Sequence, residues 1–279
     1  MARSLTKDEL INMDAISFGR LKALYDSPAL YHGRYVTREI PYDPVTPEMK
    51  AGKAIEAYLR GDMEAPQVIP AEVLSSNGSR AGNAYKAWKE ATPGADDYMT
   101  PAEYARLVEP LAKIKANVEA HPVARDLLYG QDCRWSQAVA WEHSSGLQCK
   151  AEADVVQLVG GGITEGTIVN IKTVPKGSAN PEAFSRTVVN ARYDVQAAHE
   201  TEGMLSLGTI DLCMGYVFVL IEREAPYSVE TFELDAHWRE YAVDLHNQLL
   251  ADLRVRHETN VWTSPTWGMV ARLSLPRWA

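Results

Sequence analysis

The stretch EGTIVNIKTV, residues 165–174, predicts a buried β-strand, because isoleucine, valine and threonine dominate its ten positions. Lys172 lies near the end of this strand, and Asn170 lies two positions before the lysine. A metal-dependent enzyme would want a carboxylate at such a position, since Mg²⁺ prefers charged oxygen ligands. The neutral side chain of Asn170 is therefore the question that this stretch raises.

Four other stretches have a similar strand-like composition and are separated by glycine, serine or asparagine. They are WSQAVAWEH (135–143), LQCKAEADVVQLV (147–159), CMGYVFVLIERE (213–224) and YSVETFEL (227–234). The helix-like stretch ARYDVQAAHETEGMLSLG (191–208) separates the strands at 165–174 and 213–224, so we expect these two strands to be parallel. The sequence therefore predicts an α/β fold, with a mixed central β-sheet and flanking helices.

Capping residues predict where the helices of the N-terminal part begin and end. The helix TPEMKAGKAIEAYLRG is expected to end at Gly61, and a later helix to end before Pro122, with a kink or a break at Pro110. A long amphipathic helix follows the last strand and carries Leu245 and Leu249. The predicted helix starts are Ser17, Ser27, Thr46 and Thr100, the last within a capping box.

The domain organisation follows from this order of elements. We expect residues 1–260 to form a single domain with a helical N-terminal part. Residues 261–279 are rich in tryptophan and proline and are expected to form a tail that packs on the body.

Composition excludes several classes of protein. The chain has 279 residues, of which 46% are apolar, and a net charge of −9. The sequence has no run of about 18 apolar residues, so it predicts no membrane span. Its first residues are too polar for a secretory signal. The three cysteines have no zinc-like spacing, which favours reduced thiols in the cytoplasm. The negative charge argues against a surface that binds nucleic acid everywhere, but it allows a basic groove.

Asp154 and Lys172 form the candidate catalytic pair. Asp154 lies on the strand at 147–159, which a glycine-rich turn (160–162) joins to the strand of Lys172. We expect the two strands to be adjacent within one sheet over residues 136–222, with both side chains facing the helix of Glu56. An acid and a lysine in this arrangement suit Mg²⁺-dependent phosphodiester cleavage, in which the metal polarises the phosphate and the lysine orients a water.

Two helices add polar residues to this pair. Glu56 lies at the margin of an apolar helix stripe, where an acid points either to solvent or into a site. On the helix at 191–208, Tyr193, Gln196 and Glu200 share one face with packing residues.

Taken together and in this order, the motifs resemble the RecE or exonuclease VIII group of phage and prophage exonucleases, within the PD-(D/E)XK nuclease superfamily. The resemblance covers residues 14 to 225. The order and spacing of the five motifs are more specific than any one of them. They are ISFGRLKALYDSPALYHG, AGKAIEAYL, LQCKAEADVV, IVNIKTV and YDVQAAHETEGM.

The resemblance implies a restriction-endonuclease-like core and digestion of one strand of linear double-stranded DNA from its 5′ end. It implies Mg²⁺ as cofactor, with Mn²⁺ as a substitute, and a homo-oligomer around the DNA. A single-strand-annealing recombination protein is the expected partner, in the cytoplasm of a bacterial host cell. Asp154 would be a metal ligand, Lys172 the catalytic lysine and Gln196 a residue that supports the site. The expected DNA contacts are Lys176, Arg186, Arg192 and Tyr193.

The sequence departs from the family pattern at several site positions. Glu56 replaces a histidine, Asn170 replaces the second metal-binding acid, and Glu200 replaces a tyrosine. Three interpretations stay open. In the first, the site is rebuilt around Asp154 and Glu56, with or without Glu200, and with Asn170 and the backbone carbonyl of Ile171 as neutral ligands. In the second, the chain is a natural non-cleaving descendant. In the third, Asn170 is an engineered substitution.

Overall fold

The computed structural model describes residues 2–44, 46–63, 67–95, 98–159, 164–264 and 266–270. Its described strands form one sheet in the order β1-β2-β3-β4-β5-β6. The strands are β1 (Arg3–Ser4), β2 (Cys133–Glu142), β3 (Gln148–Val159), β4 (Glu165–Val174), β5 (Leu212–Glu222) and β6 (Val229–Glu233).

Strands β4 and β5 are parallel, and every other neighbouring pair of described strands is antiparallel. The predicted mixed sheet and the predicted parallel pair are therefore confirmed. The glycine-rich turn at 160–162, which was expected to join β3 to β4, lies outside the described residues.

Helices cover both faces of the sheet. On one face, the core of Trp141, Met204, Phe218 and Leu250 packs beneath helices α2, α9 and α10. The other face packs against α4, α6 and α7. The helices are α1 (Lys7–Asn12), α2 (Phe18–Asp26), α3 (Pro28–Tyr31), α4 (Pro47–Arg60), α5 (Asn83–Ala91), α6 (Pro101–Ala120), α7 (Pro122–Tyr129), α8 (Pro181–Ala191), α9 (Tyr193–Leu207) and α10 (Ala236–Thr259).

Most of the predicted caps are present. The Thr46 side chain accepts the N–H of Met49, Gly61 ends α4 in the left-handed conformation, and Thr100 forms the expected capping box. The break allowed for at Pro110 is wrong, because α6 runs through that residue. A proline inside a helix removes one hydrogen bond, and the buried side chains of Leu111 and its neighbours offset this loss.

The predicted helix over 191–208 is wrong at its start. Two helices meet there, and Arg192 between them has a left-handed backbone, with φ of 57°. The buried Arg192 guanidinium pairs with Asp194 and donates to the Tyr25 hydroxyl at 3.0 Å. A local ion pair and a tertiary hydrogen bond to Tyr25 thus hold a conformation that a non-glycine residue rarely adopts.

The tail begins with an aromatic contact. Trp262 stacks on Tyr31 with ring centres 5.5 Å apart, whereas Trp267 is 75% exposed. Trp278 lies outside the described residues, so packing of the whole tail stays a prediction. Among the residues that the structure describes, no helix is both long and apolar enough to cross a bilayer.

Candidate active site

Strands β3 and β4 separate near their middles. Their ladder ends at the pair Val155 and Val169. Beyond this pair, β4 stays with β5 as far as Val174. Strand β3 instead pairs with β2 and with the segment around Ile16, which forms a parallel bridge to Cys149. We call the resulting opening between β3 and β4 the fork.

Asp154 fills the fork. Its carboxylate accepts the backbone N–H of Ile171 at 2.7 Å. The N–H and C=O of one strand residue point to the same side of the strand, so the Ile171 carbonyl also faces the fork. A carboxylate and a backbone carbonyl oxygen therefore meet at this point.

A break in strand alternation coincides with Asp154. Residues two apart should share a face of the sheet, yet Ala153 lies in the core beneath α9 and Val155 in the core beneath α6 and α7. Ser136, which lies opposite Asp154 on β2, has a left-handed backbone with φ of 51°. Both neighbouring strands thus change face at the position that carries the acid.

Lys172 is held by residues of α9 and β5. Its Nζ donates to Gln196 Oε1 at 3.1 Å and lies 4.3 Å from the centre of the Tyr193 ring. Gln196 Nε2 donates in turn to Glu200 Oε1 at 2.7 Å, and the Tyr216 hydroxyl donates to the other Glu200 oxygen at 2.7 Å. Glu200 therefore fixes the orientation of Gln196, and Gln196 fixes Lys172.

The expectation that Lys172 faces the Glu56 helix is wrong, because the Lys172 side chain contacts α9. Its neighbour Thr173 faces α4 instead, as strand alternation requires. A Cβ on Gly52 of α4 would lie 3.1 Å from Thr173 Oγ1, so the helix comes very close to the strand. This close approach places Glu56, one turn later, at the fork.

Glu56 is tied to the strands through Arg60. Arg60 donates to Glu56 Oε1 at 3.0 Å and to the Ser136 hydroxyl at 2.6 Å. Burial raises the pKa of the Glu56 carboxyl, and the charge of Lys172 offsets part of that rise. The charge of Glu56 in turn raises the pKa of Asp154, so the two carboxylates interact.

Burial has the largest effect on the acids of this site. It raises the pKa of Asp154 to about 7, with further rises from Glu200 and Glu56 and a partial offset from Lys172. Burial also raises the pKa of Glu200, against the hydrogen bonds from Tyr216 and Gln196. Acids whose charges are poorly compensated by protein favour a bound cation.

Asn170 supplies an oxygen that lacks a partner. Its side chain is 1% exposed, and Oδ1 accepts no hydrogen bond from any residue that the structure describes. A buried polar atom without a partner costs about 1–3 kcal/mol. The oxygens of Asp154, Asn170, Ile171 and Glu56 are all hard ligands, so this set fits Mg²⁺ or Mn²⁺.

A cationic pocket adjoins the acids. One cavity, of about 240 Å³, is lined by Glu152 and Glu200. A second cavity, of about 310 Å³, is lined by Arg20 and Arg38. Ser17 and Lys150 line both cavities. Arg34 and Arg38 line a third cavity, of about 350 Å³, beside Tyr42. This pocket was not predicted from the sequence, although the arginines between residues 20 and 38 were a visible signal.

The four expected DNA contacts lie in different environments. Lys176 and Arg186 are exposed, and Arg186 pairs with Glu182 on its own helix. Tyr193 lies under the Lys172 ammonium group. Arg192 is 4% exposed and ion-paired, so it reaches DNA only if that pair breaks.

The fold is shared with a solved protein. The chain aligns with the crystal structure of a candidate exonuclease from Eubacterium rectale, with a TM-score of 0.62 and 12% sequence identity, over 98% of this chain and 97% of that chain. The solved protein SSO0001 aligns with a TM-score of only 0.29 at 14% identity, over 77% of this chain and 93% of that chain. No family model matches the sequence, and no curated protein matches it. The first likeness establishes that this chain shares the α/β fold of that solved protein.

Proposed function

We propose that this protein is a metal-dependent nuclease that degrades linear double-stranded DNA from its ends, with its metal site in the fork. The observation that carries the proposal is the buried Asn170 Oδ1, which has no partner among the described residues and belongs to the residue next to Ile171, whose N–H binds the Asp154 carboxylate. An unsatisfied acceptor beside an acid of raised pKa is stabilised when a cation binds both.

The residues of the fork would divide into those that hold the metal and those that act on the water and the phosphate. Asp154, Glu56, Asn170 Oδ1 and the Ile171 carbonyl would hold the metal. A bound Mg²⁺ would polarise the scissile phosphate and acidify a water. Lys172, oriented by Gln196, would position that water and offset the negative charge that develops on the phosphate.

The cationic pocket supports a phosphodiester substrate. Arg20, Arg34 and Arg38 form a group of guanidinium ions, and their cavities connect through Ser17 and Lys150 to the cavity of Glu152 and Glu200. Arginine binds phosphate oxygens through paired N–H groups, so this pocket suits the DNA backbone as it enters the fork. The name of the Eubacterium rectale neighbour points to the same chemistry.

The finer features of the proposal come from the sequence motifs. They support 5′-to-3′ digestion, a homo-oligomer that surrounds the duplex, and a role in phage recombination beside a single-strand-annealing protein. A cytoplasmic location in a bacterial host accords with such a role.

Digestion of a linear duplex tests the function. The wild type, Asn170→Asp and Lys172→Ala would be assayed with Mg²⁺ and with Mn²⁺, and products resolved by strand. We expect the wild type to cleave, Asn170→Asp to cleave faster in Mg²⁺ because it adds a charged ligand, and Lys172→Ala to be silent. Silence of both the wild type and Asn170→Asp in either metal would overturn the proposal.

The neutral Asn170 favours one alternative, a nuclease fold that binds DNA without cutting it. A carboxyamide gives up most of the electrostatic attraction for Mg²⁺. Cleavage by Asn170→Asp alone, with a wild type that binds DNA but does not cut it, would establish this alternative.

A further inference from the structure

A second cluster of metal-binding side chains lies outside the fork. It consists of His143, which follows β2, Glu202 on α9 and His246 on α10. Both histidines are buried, and the Glu202 side chain is 29% exposed. One ligand atom from each residue lies within 4.8 Å of the others. His143 Nε2 is 3.7 Å from Glu202 Oε1, and His246 Nδ1 is 3.5 Å from Glu202 Oε2.

A chain of hydrogen bonds fixes the proton positions on two histidines. The Lys150 carbonyl can only accept, so His199 Nε2, at 3.0 Å, carries a proton and donates it. In the neutral tautomer with its proton on Nε2, the Nδ1 atom of His199 is an acceptor. His246 Nε2, 3.0 Å away, must then be the donor.

His246 Nδ1 is consequently left with a lone pair. This lone pair lies 3.5 Å from a Glu202 carboxylate oxygen, and a cation bound between the two acceptors would stabilise both.

We propose that His143, Glu202 and His246 bind a divalent transition-metal ion, with Zn²⁺ as the best fit. Zn²⁺ bonds of about 2.0–2.1 Å in tetrahedral geometry separate ligand atoms by roughly 3.3 Å. The two measured separations are slightly longer than this, and both are long for a hydrogen bond to a carboxylate. Two imidazoles and one carboxylate form a donor set that suits zinc.

His143 is the ligand that has to adjust. Its Nδ1 lies 2.8 Å from the Ser145 hydroxyl and 3.0 Å from the Ser145 backbone nitrogen, and its Nε2 lies 3.2 Å from Asn247 Oδ1. When Nε2 binds the ion, the ring proton moves to Nδ1 and is donated to the Ser145 hydroxyl. The hydrogen bond from the Ser145 backbone is lost in this exchange, which weakens but does not prevent binding.

The ion would join three distant parts of the chain. The turn between β2 and β3, helix α9 and helix α10 each contribute one ligand, and α9 also carries Gln196 and Glu200 of the fork. The ion would have a structural role, holding α9 in place. This role does not depend on whether the fork cleaves DNA.

Zinc binding to the chelator-treated full chain tests the proposal. The wild type, Glu202→Gln and His246→Ala would be titrated with Zn²⁺ against a chromophoric zinc indicator, and thermal unfolding followed with and without Zn²⁺. We expect one zinc per chain in this site, a raised melting temperature, and binding weakened by about tenfold or more in each variant.

Three controls make the outcome specific. His237→Gln changes an exposed histidine of the same helix and should bind like the wild type. Asp154→Asn removes the fork ligand and should keep this zinc, which separates the two sites. Glu202→Gln keeps the size of a partly exposed side chain, so it remains informative if His246→Ala does not fold. A wild type that gains no stability from Zn²⁺, or a Glu202→Gln variant that binds zinc as the wild type does, would overturn the proposal.

Discussion

The carboxylate of Asp154 accepts the backbone N–H of Ile171 at 2.7 Å, across the opening where β3 and β4 separate. The contact holds an acid with a pKa of about 7 against a strand that would otherwise have a free N–H there. The burial that places the Asp154 carboxylate at the proposed metal site therefore makes its negative charge unfavourable when no metal is bound.

The Asp154→Asn substitution should stabilise the metal-free protein at pH 8 by roughly 2 kcal/mol, because it removes a poorly compensated charge. The folded-state pKa of about 7 exceeds the unfolded value of about 3.9. As the pH falls, Asp154 therefore takes up its proton at a higher pH in the folded wild type than in the unfolded chain. The folded state gains stability from this as the pH falls from about 7 to 4. The advantage of the variant should shrink over that range. Thermal unfolding in chelator at pH 8 and pH 5 measures it, and equal gaps at both values would contradict the pKa assignment.

Mn²⁺ binding should depend on pH for the same reason. Below about pH 7 the ion must displace the Asp154 proton, so affinity should fall by up to about tenfold per pH unit. Calorimetric titration of the wild type, Asp154→Asn and Glu56→Gln would show this, and both substitutions should weaken binding. Wild-type affinity in Glu56→Gln would mean that Glu56 is only a helix-margin residue.

Gly52 should tolerate little added bulk. Gly52→Ala gains about 1 kcal/mol of helix propensity but brings a methyl group within 3.1 Å of Thr173 Oγ1, so its net effect should be near zero. In a Thr173→Ala background the same change should stabilise by about 0.5–1 kcal/mol. Gly52→Val should destabilise by about 1–3 kcal/mol. Chemical denaturation of the wild type, Gly52→Ala, Thr173→Ala and the double variant measures the coupling between the two positions. Strictly additive changes in the free energy of unfolding would show that α4 does not press on β4.

Tyr216→Phe should weaken the support of Lys172. The change leaves a Glu200 oxygen without its hydroxyl donor, which costs about 1–3 kcal/mol. It should also raise the pKa of Glu200 further, so the loss should be larger at pH 8 than at pH 5. Urea unfolding at the two pH values tests the sign. Tyr227→Phe, a tyrosine away from Glu200, serves as a control.

Arg192 should matter for folding and not for DNA. Arg192→Met leaves the buried Asp194 carboxylate without its partner, which costs about 3–5 kcal/mol. Below its melting temperature, the variant should bind duplex DNA with wild-type affinity, whereas Arg20→Met should bind more weakly. Electrophoretic mobility assays at fixed salt compare the two variants. Weaker binding by a folded Arg192→Met would restore the DNA contact expected from the sequence.

Local patterns predicted the strands, most of the caps and the pairing of β4 with β5. Hydrophobic period and connection length are properties of short segments, so they survive without tertiary information. The same patterns placed Asp154 and Lys172 on adjacent strands. The patterns did not predict the break in side-chain alternation at Ser136 and Asp154, because this change of face follows from how the two strands pack.

The remaining features depend on residues far apart in the chain. The left-handed Arg192 is held by the distant Tyr25 hydroxyl as well as by Asp194, and the cationic pocket needs the turn that brings Arg20 and Arg38 together. The histidine cluster draws on positions 143, 202 and 246, which no local pattern connects. No local pattern in the sequence shows that these residues meet in space.

The first residues of the described chain close two open sides of the sheet. Arg3 and Ser4 pair with β2, and Ile16 bonds to β3 on both sides of Cys149. A chain shortened past residue 16 would leave both strands with unpaired N–H and C=O groups, which are templates for another copy of the protein. We expect such a chain to self-associate edge to edge, in which case the segment up to Ile16 would keep neighbouring molecules apart.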